Sequence, residues 1–268
     1  MTETTVAIEE TAPGVVTLRL QRHDQLNALT DPMMDALRAA IARIDADAGC
    51  RVVILTGAGR GFCAGLDLRA NVAAHGHERH DADAAMRLQE LYAGTIPLLR
   101  RLRQPLIAAV NGVAVGAGLA LALAADIRIA ARSARFLVGA VKMGLSAGEC
   151  GISYHLPRLI GAGRAFELML TGRAVDAEEA LRIGLVTELA DDTDLAAVAL
   201  RTAQTIAANS PFSIKHSKQV MWANLDAAGL EAALELENHV QTVAMLTEDF
   251  TEALDAFAAK RPPSFRGR

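Results

Sequence analysis

Aromatic residues are scarce, only 4% of the 268-residue chain, with one tryptophan and two tyrosines. An all-β domain held by aromatic cross-strand pairs is therefore disfavoured, and the prevailing Ala, Leu and Val suit helices packed through small side chains. Long hydrophobic runs are also wanting. The best candidate, Leu106 to Ala125, carries Asn111, Gly112, Gly116 and Gly118 between Arg103 and Asp126. It reads as a buried strand and helix, so no membrane span is expected. The three cysteines, Cys50, Cys63 and Cys150, are odd in number and form no CxxC, which fits reduced thiols in a cytoplasmic protein. Met1 to Thr11 lacks the basic residues of a secretory signal. A net charge of −4 argues against a nucleic-acid partner, since phosphate neutralisation needs a basic surface.

What is present points to an α/β protein. Val15–Leu20, Arg51–Thr56, Leu106–Val110 and Ile127–Ala131 read as short buried strands. Thr30-Asp31-Pro32 starts a helix through Leu37, Ile41 and Ile44. Leu66 to Asn71 suits a short helix, Ala73 to Ala84 a polar surface loop, and Ala85 to Leu102 a single helix ending before Pro105. Strand–turn–helix units repeated in this way imply parallel pairing. Beyond Gly161 the pattern becomes helix after helix: Ala162–Leu170, Asp176–Ile183, Leu195–Ala208, Pro211–Asn224, Gly229–Leu246 and Glu248–Lys260. The expected organisation is one domain, with an α/β core over residues 1–190 and a helical region over 191–268. The basic ending RPPSFRGR predicts no regular structure.

Two glycine-rich turns, Gly57–Gly65 and Asn111–Gly118, each follow a buried strand. Backbone N–H groups at the start of a helix have no partner within it, so two such turns side by side could form an oxyanion hole. Tight strand-to-helix connection is the alternative. Neither turn completes GxGxxG, because Phe62 and Leu121 stand where glycine is needed, and neither has a P-loop Gly-Lys-Ser/Thr. Nucleotide cofactors are thus not expected. His77-Glu78-Arg79-His80 falls one residue short of the HExxH zinc signature, so no metal site is expected. Glu149, ahead of the apolar run Ile152–Ile160, has two readings: a first-turn glutamate favoured by the helix dipole, or a catalytic acid.

Taken in order, several segments resemble the crotonase (enoyl-CoA hydratase/isomerase) family from end to end. They are Gln21–Leu29, Gly61–Leu68, Asn111–Gly118, Ala125-Asp126-Ile127, Leu156–Gly161, Leu170-Thr171-Gly172 and the ending from Thr247 to Pro262. The resemblance implies a core of repeated ββα units, a helical C-terminal region for trimerisation, and homotrimers or hexamers. It implies acyl-CoA substrates, with coenzyme A as part of the substrate and no separate cofactor. By the same resemblance, the Leu66 and Ala117 N–H groups would hold the thioester oxygen. Asn27, Ala28, Leu29, Ala64, Gly65, Asp67, Leu68 and Gly116 would surround the coenzyme A ester.

The departures bear on the reaction. Family hydratases carry two glutamates, and the corresponding positions here are Ala120 and Ala140, which cannot serve as acid or base. Glu149 falls where dienoyl-CoA isomerase relatives have a catalytic aspartate. Aromatic-acyl-CoA dehalogenase relatives have a nucleophilic aspartate there, followed by the Ser-Tyr pair seen here as Ser153-Tyr154. Asp83, Glu78 and Glu90 are candidates for a second group. The favoured expectation is a proton shift of the isomerase type carried by Glu149. The alternatives are hydrolysis or dehalogenation with Glu149 as nucleophile, or non-catalytic binding of acyl-CoA.

Overall fold

The computed structural model describes residues 4–75 and 82–268. The strands are β1 (Val6–Ala12), β2 (Val15–Leu20), β3 (Val52–Gly57), β4 (Gly61–Cys63) and β5 (Leu106–Val110). They continue with β6 (Val113–Val115), β7 (Ile127–Ala131), β8 (Arg135–Leu137), β9 (Ala174–Asp176) and β10 (Glu188–Ala190). One sheet has the order β1-β2-β3-β5-β7-β10 and the other β4-β6-β8-β9. Among the described residues, only β1 with β2 and β8 with β9 pair antiparallel. After β2 the chain lays one strand in the large sheet and the next in the small one, as β3–β4, β5–β6 and β7–β8. This is the α/β ββα repetition that the resemblance implied. Two of its second strands, β4 and β6, lie inside the glycine-rich segments that read as turns in the sequence.

The central strands are buried on both faces, which is why they are apolar without alternation. Val53, Leu55, Ala108 and Val110 face the main core, whereas Val52, Ile54, Ile107 and Ala109 face a second cluster. Helix α9 (Leu195–Ala207) covers that second face through Leu195, Val198, Ala199 and Ala203. Its alanines let the helix approach the sheet closely, and each large apolar side chain buried there contributes roughly 1.5–3 kcal/mol. The main core is closed by α1 (Asp31–Ala46), whose Met33, Met34, Leu37, Ile41 and Ile44 form one inward face.

Several local expectations change. The short helix after Leu66 is α2 (Leu68–His75). The next helix, α3 (Ala82–Ala93), starts inside the expected surface loop. His77, Glu78, His80 and Asp81 lie outside the described residues. The single helix expected over 85–102 divides at Gly94 into α3 and α4 (Thr95–Arg101). Pro97 has no N–H to continue the ladder there. After it come α5 (Ala117–Leu123), α6 (Ile152–Ile160), α7 (Ala162–Thr171) and α8 (Ala177–Arg182). Among the described residues, no helix is long and apolar enough to cross a membrane.

Beyond α9 come α10 (Pro211–Asn224), α11 (Leu230–Ala244) and α12 (Glu248–Ala258). Helix α10 docks where β5 and β7 begin. Lys218 Nζ lies 2.9 Å from Asp126 and donates to the Gln104 carbonyl at 2.9 Å. Trp222 Nε1 and the Leu106 N–H also donate to Asp126, at 2.6 and 2.7 Å. Burial outweighs the attraction of Asp126 and lowers the Lys218 pKa. The C-terminal tail is irregular but tied down, since Arg266 and Gly267 donate backbone N–H groups to Asp249. Removing one partner of a buried ion pair strands the other charge. Lys218→Met should therefore lower the unfolding free energy by about 3 kcal/mol in urea titrations.

Candidate active site

Strands β4 and β6 run side by side, pairing Gly61 with Val113 and Cys63 with Ala114. The turns that follow them are consequently in contact. A Cβ on Gly118 would lie 2.2 Å from the Cys63 carbonyl oxygen. On Gly65, where φ is +84°, it would lie 2.6 Å from the Val115 oxygen and 3.7 Å from the Ala117 nitrogen. Only glycine permits that spacing.

Leu66 bridges to Leu29, but through its neighbours' groups. The Leu29 N–H donates to Gly65 O at 2.7 Å, and the Asp67 N–H donates to Leu29 O at 2.9 Å. Ala117 is the first residue of α5 and so has no acceptor one turn back. Among the described residues, neither the Leu66 nor the Ala117 N–H has a protein acceptor. Two unpaired donors on touching turns can serve one oxygen.

Glu149 comes to the same place. Its Oε1 lies 3.1 Å from where a Cβ on Gly116 would stand, and Gly116 adjoins Ala117. The side chain is half-buried, and burial raises its pKa above the usual carboxylate range. The helix-dipole reading fails, because α6 starts at Ile152 and has no acidic residue in its first turn. Ala120 is fully buried in α5, and Ala140 is buried in the 3-10 turn Gly139–Met143. Asp83 and Glu90 are exposed on α3, and Glu78 lies outside the described residues.

The other expected site residues divide into scaffold and surface. Asn27, fully buried at φ +56°, has its side chain wholly engaged. Its Nδ2 donates to Ala58 O and Gly61 O at 2.9 and 2.8 Å, and its Oδ1 accepts from the Arg22 N–H at 2.8 Å. It therefore shapes the entry to β4. Asp67 accepts from the Ala70 N–H at 3.0 Å and pairs with Arg22 at 3.0 Å, which together hold its carboxyl below the ordinary range. Ala28, Leu29 and Gly65 are buried, Ala64 is half-buried and Leu68 is exposed. Sequence reasoning missed Arg22, which also donates to Ala28 O, and Tyr92, whose hydroxyl donates to Asp31 at 2.8 Å. A cavity of about 630 Å³ beside α10, lined in part by Arg128, His155, Lys218 and Trp222, has neither glycine turn in its walls.

The enoyl-CoA hydratase/isomerase family model matches residues 10–268. The chain belongs to that family. This crotonase-family chain is 45% identical over 262 residues to a Mycobacterium tuberculosis protein named as a probable enoyl-CoA hydratase, covering 97% of the chain and 92% of the relative. It is 40% identical over 256 residues to the 1,2-epoxyphenylacetyl-CoA isomerase of Escherichia coli, covering 95% and 96%. A crystal structure of the Bacillus anthracis enoyl-CoA hydratase superposes with a TM-score of 0.93 at 34% identity, covering 98% and 100%. The chain is thus an enzyme of a family whose members are named for both hydration and isomerisation.

The glycine contacts give a test that needs no substrate. At Gly118 the obstacle is backbone, whereas Gly163 in α7 has nothing within 4 Å of the position a Cβ would take. Gly118→Ala should cost about 3 kcal/mol or more by urea unfolding, and Gly163→Ala clearly less. Equal losses would mean that the turns can separate.

Proposed function

We propose that the protein isomerises enoyl-CoA thioesters by way of an enolate, with Glu149 as the only proton carrier. The observation that carries this reading is the Glu149 carboxylate lying over Gly116, beside the free Ala117 N–H, while Ala120 and Ala140 offer only methyl groups. In a 3-enoyl-CoA, the Glu149 carboxylate takes a proton from C2, and the C–H electron pair moves into the thioester to form the enolate. The Leu66 and Ala117 N–H groups stabilise the negative oxygen. Glu149 then returns the proton at C4 to give the 2-enoyl-CoA, and the carboxylate is regenerated. Nothing is added or lost, so one carboxylate suffices. Hydration requires a water held by a second group, and the two family glutamates that would hold it are absent. Burial of Glu149 supports the role as well, because a pKa raised towards working pH suits a group that both takes and gives a proton.

Coenzyme A enters only as part of the substrate. Its ester would run along Ala64, Gly65, Leu68 and Gly116, with Asn27, Ala28, Leu29 and Asp67 shaping that surface from behind. A trimer or hexamer belongs to the same reading. Helix α11 buries none of its residues, and Leu234, Leu236 and Val243 on it are exposed, as are Leu246 and Phe257 nearby.

Glu149→Gln keeps the size of the side chain and removes the base. It should lower turnover of a 3-enoyl-CoA by about 10²–10⁴-fold with little change in ester binding, followed by product formation and by solvent deuterium at C2 of the substrate and C4 of the product. Brisk hydration of a 2-enoyl-CoA that survives this substitution would falsify the single-carboxylate mechanism. Glu149 is protonated more readily folded than unfolded, so ionising it opposes folding. The same variant should therefore be more stable than wild type at pH 7, with a smaller gain at pH 4.

The donor role has its own measurement. Leu66→Pro deletes one N–H and should cost at least about 2.7 kcal/mol of barrier, whereas Leu66→Ala keeps the N–H and should be far milder. Equal rate losses in two folded variants would transfer the effect to the side chain.

A further inference from the structure

The Glu149 carboxylate is delivered by an unfavourable piece of backbone. Cys150 has φ +45°, in the left-handed region that a side chain bearing a Cβ rarely adopts, and Gly151 follows at φ +77°. Surrounding contacts must over-determine such a turn for it to persist. The Ile152 N–H donates to Glu149 O at 2.8 Å. Three donors then converge on the Gly151 carbonyl: the Tyr154 N–H at 3.1 Å, the His155 N–H at 2.9 Å and the His155 ring Nδ1 at 3.0 Å. The first two continue into α6 and would form wherever the helix starts. The ring contact is specific to this side chain.

Because its partner is a carbonyl oxygen, Nδ1 must carry the proton, and Nε2 is left as a lone pair. Nε2 is buried and has no hydrogen-bond partner among the described residues. The imidazole is 4% exposed and boxed edge-on by Tyr154 and Trp222, with ring centroids 5.1 and 6.1 Å away. The charged groups around it are mostly cations: Arg100 from α4, Arg128 from β7, Arg158 from α6 and Lys218 from α10. Asp126 is taken up by Lys218, and Asp226 by Arg158 at 2.9 Å. Burial first, and then these arginines, push the His155 pKa down to about 4. The ring therefore stays neutral, with one fixed tautomer, while Glu149 ionises.

We infer that His155 is a positioning residue for Glu149, its Nδ1–H locking the Gly151 carbonyl and so the left-handed turn that carries the carboxylate to Gly116. This rests on the reading of Glu149 as proton carrier. Among the described residues, the His155 ring makes no hydrogen bond to Glu149, Leu66 or Ala117. If the lock is lost, the turn relaxes, the carboxylate gains water, and its pKa falls towards that of an ordinary glutamate.

The test compares His155→Leu, which removes the donor, with His155→Asn, whose amide N–H can reach the same carbonyl. Both are assayed with a short 3-enoyl-CoA across pH, alongside Glu149→Gln. His155→Leu should lower kcat about tenfold with KM little changed, and move the acid limb of kcat/KM to lower pH. His155→Asn should recover kcat to within about threefold of wild type and restore the limb. If His155→Leu does not fold, His155→Gln replaces it, since its longer side chain carries the donor past the Nδ1 position. A folded His155→Leu with unchanged kcat and pH limb overturns the inference while Glu149→Gln remains inactive. So does a folded His155→Asn that is as impaired as the leucine variant. Full activity in Glu149→Gln overturns both the inference and the proton-carrier reading beneath it.

Discussion

The contact between the Gly118 position and the Cys63 carbonyl sets the spacing on which the site depends. With room for no more than a hydrogen on Gly118, β4 and β6 stay in register and the turns beyond them press together. That contact brings the Leu66 and Ala117 N–H groups, 51 positions apart in the chain, to neighbouring turns. Neither group needs a functional side chain, so Leu and Ala can stand at both positions. Their requirement is for backbone that cannot move. It is supplied by the Leu29 bridge on one side and the α5 start on the other.

Electrostatically the region is simple. One half-buried carboxylate adjoins backbone donors, and the hydrocarbon of Ala120 and Ala140 occupies the remaining family positions for acids. Asp67, the nearest other acid in the sequence segment, is spent on Arg22 and on capping α2. Desolvation is thus the dominant influence on Glu149, with no cation among the described residues to offset it. A carboxylate in that condition holds a proton more readily than a solvated one, which suits the proton transfer proposed for it.

Much of this arrangement was legible in the sequence, and the unread parts share a physical cause. Strands β3, β5 and β7 stood out because burial on both faces leaves long apolar runs. Strands β4, β6, β8, β9 and β10 have three residues each, too few to display any period. β1 was missed because its outer half, Glu9 to Thr11, is exposed and polar. The glycine turns and Glu149 announced themselves by residue type. Asn27 stood in a recognisable segment, yet its amide turned inward because its acceptors, Ala58 and Gly61, lie more than 30 residues away. His155 did leave a signal, a lone histidine in an apolar run four residues after a glycine. Its meaning appears only when the Gly151 carbonyl is seen to turn towards the ring.

Helix α11 has a thermodynamic consequence of its own. None of its residues is buried in the single chain, so covering its apolar side requires a neighbouring molecule. If that neighbour is a second copy, folding and association share one free energy, and mass action enters the melting temperature. Dilution would then loosen the C-terminal helices first, while the doubly covered strands β3 and β5, closed by α9 within the same chain, would keep their protection against hydrogen exchange.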